Sequence, residues 1–366
     1  MRQPPHTPRR WQLRHADCLK ALPKLDAASV EVVITDPPYG INFNNMAWDR
    51  PSHLDPARVP GRRRAHPDPS SAFQTFSAQW SKECLRVLKP GAHLAAFAAP
   101  RTFHLLARGL EEAGYELRDV LMWIHSQGYP ASRAMPGSHT GWGTGLKPAY
   151  EPILLARKPL EGTLDETLAR HATGALNIDA CRINDDDAPS CPGEGRAHTH
   201  TRSASERGRW PANLAFSHHH ACGPRRCDPA CPVRMLGENQ RFFYCAKTSR
   251  RERDTGCERL PRRTVQTFQI GAKAEVRAKA SPVANIHPTV KPIELMRWLV
   301  RLLTPPGGLV LDPFAGSGST GAATVLEGAR FLGIERERDY IPIARARIKH
   351  WARRPREGRE QRSGAR

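Results

Sequence analysis

No apolar run in this sequence approaches the roughly 18 residues that a membrane-crossing helix needs, so no membrane partner is expected. Residues 1–10 hold no apolar stretch of a secretory signal, which points to a cytoplasmic protein. Cysteine is sparse and uneven: nine in 366 residues do not make the disulfide framework of a small secreted domain, and most should be thiols. Acids are also scarce, with 36 Asp plus Glu against 56 Lys plus Arg, for a net charge of +20. Charge of that sign speaks of partners rather than of fold, and the commonest polyanionic partner of a soluble basic protein is nucleic acid. No internal repeat is present. With 39% hydrophobic residues over this length, one large or two modest domains can bury a core without staples.

Three textures divide what is there. Residues 1–126 alternate apolar strand-like and helix-like stretches, as an α/β domain does. The β-branched run 30–35 (VEVVIT) ends in a loop stiffened by two prolines; 79–87 has helical spacing, 89–91 turns and 93–99 is a buried-strand candidate. Helical 105–113 is closed by Gly114, and 115–124 offers one or two more strands. Residues 127–284 are rich in Gly, Pro, Ser, His and Arg and lack a sustained period, which predicts an inserted irregular region. Exposed insertions are expected at 185–193 and 196–208, and 247–280 carries ten Lys or Arg against four acids. Periodicity returns in 285–351: a helix at 292–303, a strand at 309–311, a glycine-rich turn, a helix at 321–327, a strand at 331–334 and a last helix at 339–351. The tail 352–366, with six Arg and two Glu, is expected to be disordered.

Two motifs carry chemistry. In 309–320 (LVLDPFAGSGST) a strand feeds a Gly-x-Gly turn and then a helix, so that backbone can approach a ligand and the helix N-terminus can meet an anionic group. The third glycine of a dinucleotide fingerprint and the Gly-Lys-Ser/Thr of a triphosphate loop are both missing; a ligand with a carboxylate fits better. Glu335 ends the next strand nineteen residues after Gly316, where an acid can accept both hydroxyls of a ribose. Alone, the same residues also read as a helix-capping turn and a surface glutamate. The second motif is Asp36-Pro37-Pro38-Tyr39-Gly40. A carboxylate fixed by two prolines, with the Pro37 carbonyl beside it, suits a poorly nucleophilic exocyclic amine, and Tyr39 can stack on a base rotated out of its helix. A rigid Pro-Pro turn with a capping Asp is the plainer alternative.

Together these motifs resemble the S-adenosylmethionine-dependent DNA amino-methyltransferases, which modify adenine N6 or cytosine N4. The resemblance implies a doubly wound, Rossmann-like α/β sheet, with catalytic roles for Asp36, Pro37, Pro38 and Tyr39. It implies cofactor contacts for Asp312, Phe314, Gly316, Ser317 and Gly318 in the glycine turn and for Glu335 on the ribose. His287-Pro288-Thr289-Val290-Lys291-Pro292 resembles the family's element beside the cofactor's methionine end, which adds His287, Thr289 and Lys291; Asp17 matches the acid near the adenine amino group. Catalytic loop first and cofactor loop last is similar to the β-type arrangement, with target recognition in 127–284. Ribosomal-RNA guanine enzymes usually reverse that order. A carbon-5 cytosine mechanism would need a Pro-Cys nucleophile, and the chain has none.

The implied partner is double-stranded DNA, with adenine favoured because Asp in the first motif position is usual among adenine enzymes. The resemblance leaves room for a homodimer and for a cognate restriction endonuclease. A basic DNA-binding protein that keeps the fold without catalysis is the alternative of another class. Finally, His219, Cys222, Cys227 and Cys231 can supply a histidine and three thiolates to a structural zinc, although no Cys-x-x-Cys pair is present and a triple histidine also suits a solvated loop.

Overall fold

The computed structural model describes residues 10–50, 69–125, 134–183, 208–219, 222, 227–229, 231–237, 239, 243–246, 250–264 and 282–353. The expected insertions at 185–193 and 196–207, much of the basic stretch 247–280 and the tail beyond 353 lie outside these residues. One nine-stranded sheet runs in the order β1 (Trp11–His15), β9 (Arg330–Glu335), β8 (Leu309–Asp312), β2 (Val30–Thr35), β3 (Leu88–Phe97), β5 (Tyr150–Arg157), β4 (Glu116–Ile124), β6 (Leu214–Ser217), β7 (Tyr244–Ala246). Every neighbouring pair is parallel except those of β5, which runs against both β3 and β4.

β2 shows why both faces are covered. All six of its residues are buried, and because side chains alternate, Val32 and Ile34 enter one core while Val33 enters the other. On the first face lies α7 (Ile293–Leu303), whose buried Leu295 and Leu299 recur at helical spacing. On the second lie α2 (Pro69–Val87) and α3 (Phe103–Ala113), through Phe73, Trp80, Leu106 and Leu110. Each such buried side chain contributes about 1.5–3 kcal/mol. α8 (Ser319–Leu326) and α9 (Ile341–Ala352) complete the side that carries the glycine turn. Among the described residues no helix is long and apolar enough to cross a membrane.

Two expectations change. The Lys89-Pro90-Gly91 segment does not separate helix from strand: α2 passes straight into β3, and the register jumps from Val30↔Leu88 to Val32↔His93, so Pro90 sits in a bulge where no ladder donor is needed. The stretch 127–284 is also less irregular than its sequence, since it supplies β5, β6 and β7 to the sheet. β5 is apolar on both faces and gives no alternation, while β6 and β7 span only four and three residues, too short to display a period.

Candidate active site

The strand directions gather the site. The carboxyl ends of β1, β9, β8 and β2 lie on one edge of the sheet, and antiparallel β5 delivers its first residues, Tyr150 and Glu151, to that same edge. Strand order reverses between β8 and β2, which is where a doubly wound sheet opens its crevice. Thr35 Oγ1, at the end of β2, donates to Asp312 Oδ1 at the end of β8 over 2.7 Å and ties the two outgoing loops together.

On the β2 side, buried Pro37 and Pro38 stiffen the loop that presents Asp36 and Tyr39. The Tyr39 hydroxyl is 2.8 Å from both Asp36 Oδ1 and Glu151 Oε2. Lys291 Nζ donates to Asp36 Oδ2 at 2.8 Å and lies 3.2 Å from Glu151 Oε2. Its ammonium also stands 5.0 Å and 5.5 Å from the centroids of Phe97 and Tyr39. Two acids thus share one buried cation. Burial pushes Glu151 up, but Lys291 and His125 more than offset that and hold it at about 2. Asp36 is pushed above its ordinary range by burial and by the charge of Glu151, despite the same ammonium. A proton entering the cluster goes to Asp36. Within this cluster Glu151 is the residue the motif reading did not assign; in the sequence it is a glutamate at the start of an apolar run.

A second acid shapes this loop. Asp49 is fully buried, and its carboxylate accepts backbone N–H bonds from Tyr39 at 2.6 Å, Gly40 at 2.8 Å, Ile41 at 3.2 Å and Phe43 at 2.7 Å. Thr102 Oγ1 donates to the Tyr39 carbonyl at 2.8 Å. Four donors converging on one carboxylate form a cradle that fixes where Tyr39 leaves the strand. Asp49 lies outside every recognised motif.

On the β8 side, Gly316 and Gly318 take positive φ of 47° and 76°, a conformation that L side chains resist. A Cβ on Gly316 would stand 2.6 Å from His287 Nε2. Glu335 Oε2 accepts the Gly316 N–H at 2.7 Å, and Oε1 accepts that of Glu337 at 2.6 Å; burial nevertheless pushes its carboxyl up. His287 Nδ1 accepts from the Thr289 N–H at 3.3 Å, which leaves the ring proton on Nε2 facing Gly316. Burial, then the charges of Lys291, Arg347 and Arg253, push this imidazole down to about 3, so it is neutral. Asp312, pushed up to about 7 by burial, also caps the turn through the Phe314 N–H at 3.0 Å. The Phe314 ring turns inward onto Phe76 and Trp80, with centroids 6.0 Å and 5.4 Å away. Arg347 of α9, unassigned by the sequence reading and wholly buried, donates from Nη1 to the Ser317 carbonyl at 2.8 Å and to the Ser317 and Ser319 hydroxyls at 3.0 Å each.

The expected residues therefore form two linked groups: Asp36, Tyr39 and Lys291 at the Asp-Pro-Pro-Tyr loop, and His287, Thr289, Gly316, Ser317 and Glu335 at the glycine turn. Asp17 flanks the second group, N-capping α1 (Cys18–Ala21) through the Leu19 N–H at 2.9 Å, next to Ala16, whose N–H donates to the Glu335 carbonyl at 2.9 Å.

The cysteine cluster also assembles, with one correction. His218, Cys222, Cys227 and Cys231 bring their ligand atoms within 4.8 Å of one another, whereas His219 turns its Nδ1 to Asp228 at 3.7 Å. Strand alternation is the reason: Phe216 of β6 faces the small core that contains Cys231, and the residue two positions on shares its side.

A family model described as DNA methylase, spanning N6 and N4 enzymes, matches residues 30–346. The Type II methyltransferase M.HindIII of Haemophilus influenzae is 23% identical over 369 residues, covering 91% of this chain and 94% of that protein. M2.DpnII of Streptococcus pneumoniae is 43% identical over 70 residues, which is 19% of this chain and 26% of that one. The solved PvuII DNA methyltransferase, described as cytosine-N4-specific, has a TM-score of 0.50 at 15% identity over 92% of this chain and 86% of its own, and so shares the fold. A glycine turn and an Asp-Pro-Pro-Tyr loop on one sheet edge, inside a match that spans most of the sequence, make this chain a member of the N6/N4 DNA methylase family.

Proposed function

We propose that this protein transfers a methyl group from S-adenosylmethionine to the N6 amine of adenine in duplex DNA, after rotating the base out of the helix. The reading rests on one observation: the amine-acceptor loop at Asp36 and the glycine turn at Gly316 leave neighbouring strands, linked by the Thr35–Asp312 hydrogen bond. The residues present suit the cofactor. Glu335 offers an acid to a ribose diol, Gly316 and Gly318 hold a tight turn in which a Cβ would collide with His287 and Ala344, and Asp17 lies beside them. The bound cofactor would supply the methyl group on a sulfonium. The chain's own residues then do the rest. Asp36 and the Pro37 carbonyl accept the amine's hydrogens, and Tyr39 stacks on the base. The nitrogen gains a methyl carbon and sheds a proton, for which Asp36, with its raised affinity, is the acceptor in reach. Lys291, which donates to that carboxylate at 2.8 Å, works against burial to favour its charged form.

Target recognition belongs to 127–284. The β4–β5 connection emerges on the catalytic edge and exposes Trp142 and Leu146, apolar groups able to press against bases, while the net charge of +20 supplies phosphate contacts. The whole-length likeness to M.HindIII supports a modification role of the Type II kind, alongside a cognate endonuclease.

Tritium transfer from labelled S-adenosylmethionine to mixed-sequence duplex DNA, followed by nucleoside digestion and mass spectrometry, tests the reading. N6-methyladenine upholds it, N4-methylcytosine keeps the mechanism and reverses the base, and unlabelled DNA with intact cofactor binding leaves a binding protein. Asp36→Ala should abolish single-turnover transfer and leave cofactor affinity within a few-fold.

A further inference from the structure

β6 and β7 are parallel neighbours at the sheet edge, yet the chain between them contains, among the described residues, only the four-residue helix α5 (Pro232–Met235). A parallel crossover ordinarily packs a longer helix over the sheet. Among the described residues the cluster there is small: Phe216, Cys231 and Val233 are buried, with Cys222, Cys227 and Cys245 among the partly buried groups around them. Four of its members are thiols, and three of them, Cys222, Cys227 and Cys231, gather with His218.

Their arrangement is that of a coordination sphere. His218 Nδ1 lies 3.4 Å from Cys227 Sγ and 3.6 Å from Cys231 Sγ. Around a tetrahedral zinc with ordinary bond lengths, the N···S edge is about 3.6 Å. The sulfurs also receive backbone donors, Asp228 N–H to Cys222 at 3.3 Å and His219 N–H to Cys231 at 3.4 Å, contacts of the kind that orient metal-binding sulfurs. All eight described cysteines are free of disulfides. One imidazole with three thiolates, tetrahedral in outline, selects zinc over hard or square-planar metals.

We propose that His218 Nδ1 and the thiolates of Cys222, Cys227 and Cys231 hold one structural zinc ion that closes the β6–β7 crossover. The ion ties the end of β6 to Cys222, Cys227 and Cys231 within that small cluster. His218 directly follows β6, two strands from Glu151 across β4, so the zinc also fixes the carboxyl edge of the sheet beside the catalytic centre. The site is independent of which base the protein methylates.

The test uses the full chain, purified without chelator and dialysed, with metal measured by plasma mass spectrometry. About one zinc per chain is expected in the wild type and in His219→Ala, and less than a fifth of that in Cys227→Ser and His218→Ala. Mercurial titration of the wild type, followed by a zinc-sensitive dye, should release the ion as its thiols react, which covers the case of a variant that fails to fold. Cobalt loading should give the intense visible bands of a tetrahedral thiolate site. Wild-type protein without zinc that takes up no cobalt overturns the proposal, and so does metal lost in His219→Ala but kept in His218→Ala.

Discussion

Replacing Lys291 by Met keeps the aliphatic stem and removes the charge that two acids share. At an effective dielectric of about 20, an ammonium 2.8 Å from Asp36 and 3.2 Å from Glu151 gains about 6 and about 5 kcal/mol before desolvation. Burying all three ions offsets most of this, yet removing one partner strands the others, so the net cost should be about 3–5 kcal/mol. The pH dependence separates charge from packing. Without the cation, Asp36, already raised by burial and by Glu151, rises further above the roughly 3.9 of an unfolded aspartate. Through that window the folded variant holds a proton that the unfolded chain lacks, so its stability falls as pH rises. Urea unfolding of wild type and Lys291→Met at pH 5 and pH 8 reads this directly, and the cost should be clearly larger at pH 8. A loss below about 1 kcal/mol, or an equal loss at both pH values, would refute the shared-cation argument and assign the effect to packing.

Asp49→Ala removes four backbone bonds to one carboxylate and should lower kcat at least ten-fold with little change in cofactor affinity, at a stability cost of about 2 kcal/mol or more; steady-state kinetics beside calorimetry checks both. His287 is neutral down to about pH 3 when folded but takes a proton below roughly pH 6.5 when unfolded. The unfolded chain then binds more protons as pH falls, so this residue should withdraw about 2 kcal/mol between pH 7 and pH 5, and a His287→Gln variant whose urea midpoint falls as steeply as the wild type's would contradict this. Gly316→Ala should cost cofactor affinity through the collision with His287 Nε2, and less so in a His287→Ala background; equal losses in both, by isothermal titration, would trace the effect to the positive φ alone.

The sequence by itself determined the parts whose physics is local. The β-branched run of β2, the helical spacing of α7 and the glycine cap after α3 set those elements almost to the residue. Proline and glycine fixed the two loops because each restricts or frees the backbone wherever it occurs. Tertiary structure decided what meets at those loops. Lys291 and Asp36 stand 255 positions apart, and Glu151 reaches them because β5 alone runs against its neighbours, a matter of pairing that no local period encodes. Asp49 became a cradle only when four N–H groups folded around it, and His218 rather than His219 joined the cysteines because β6 ended with one face, and not the other, toward them.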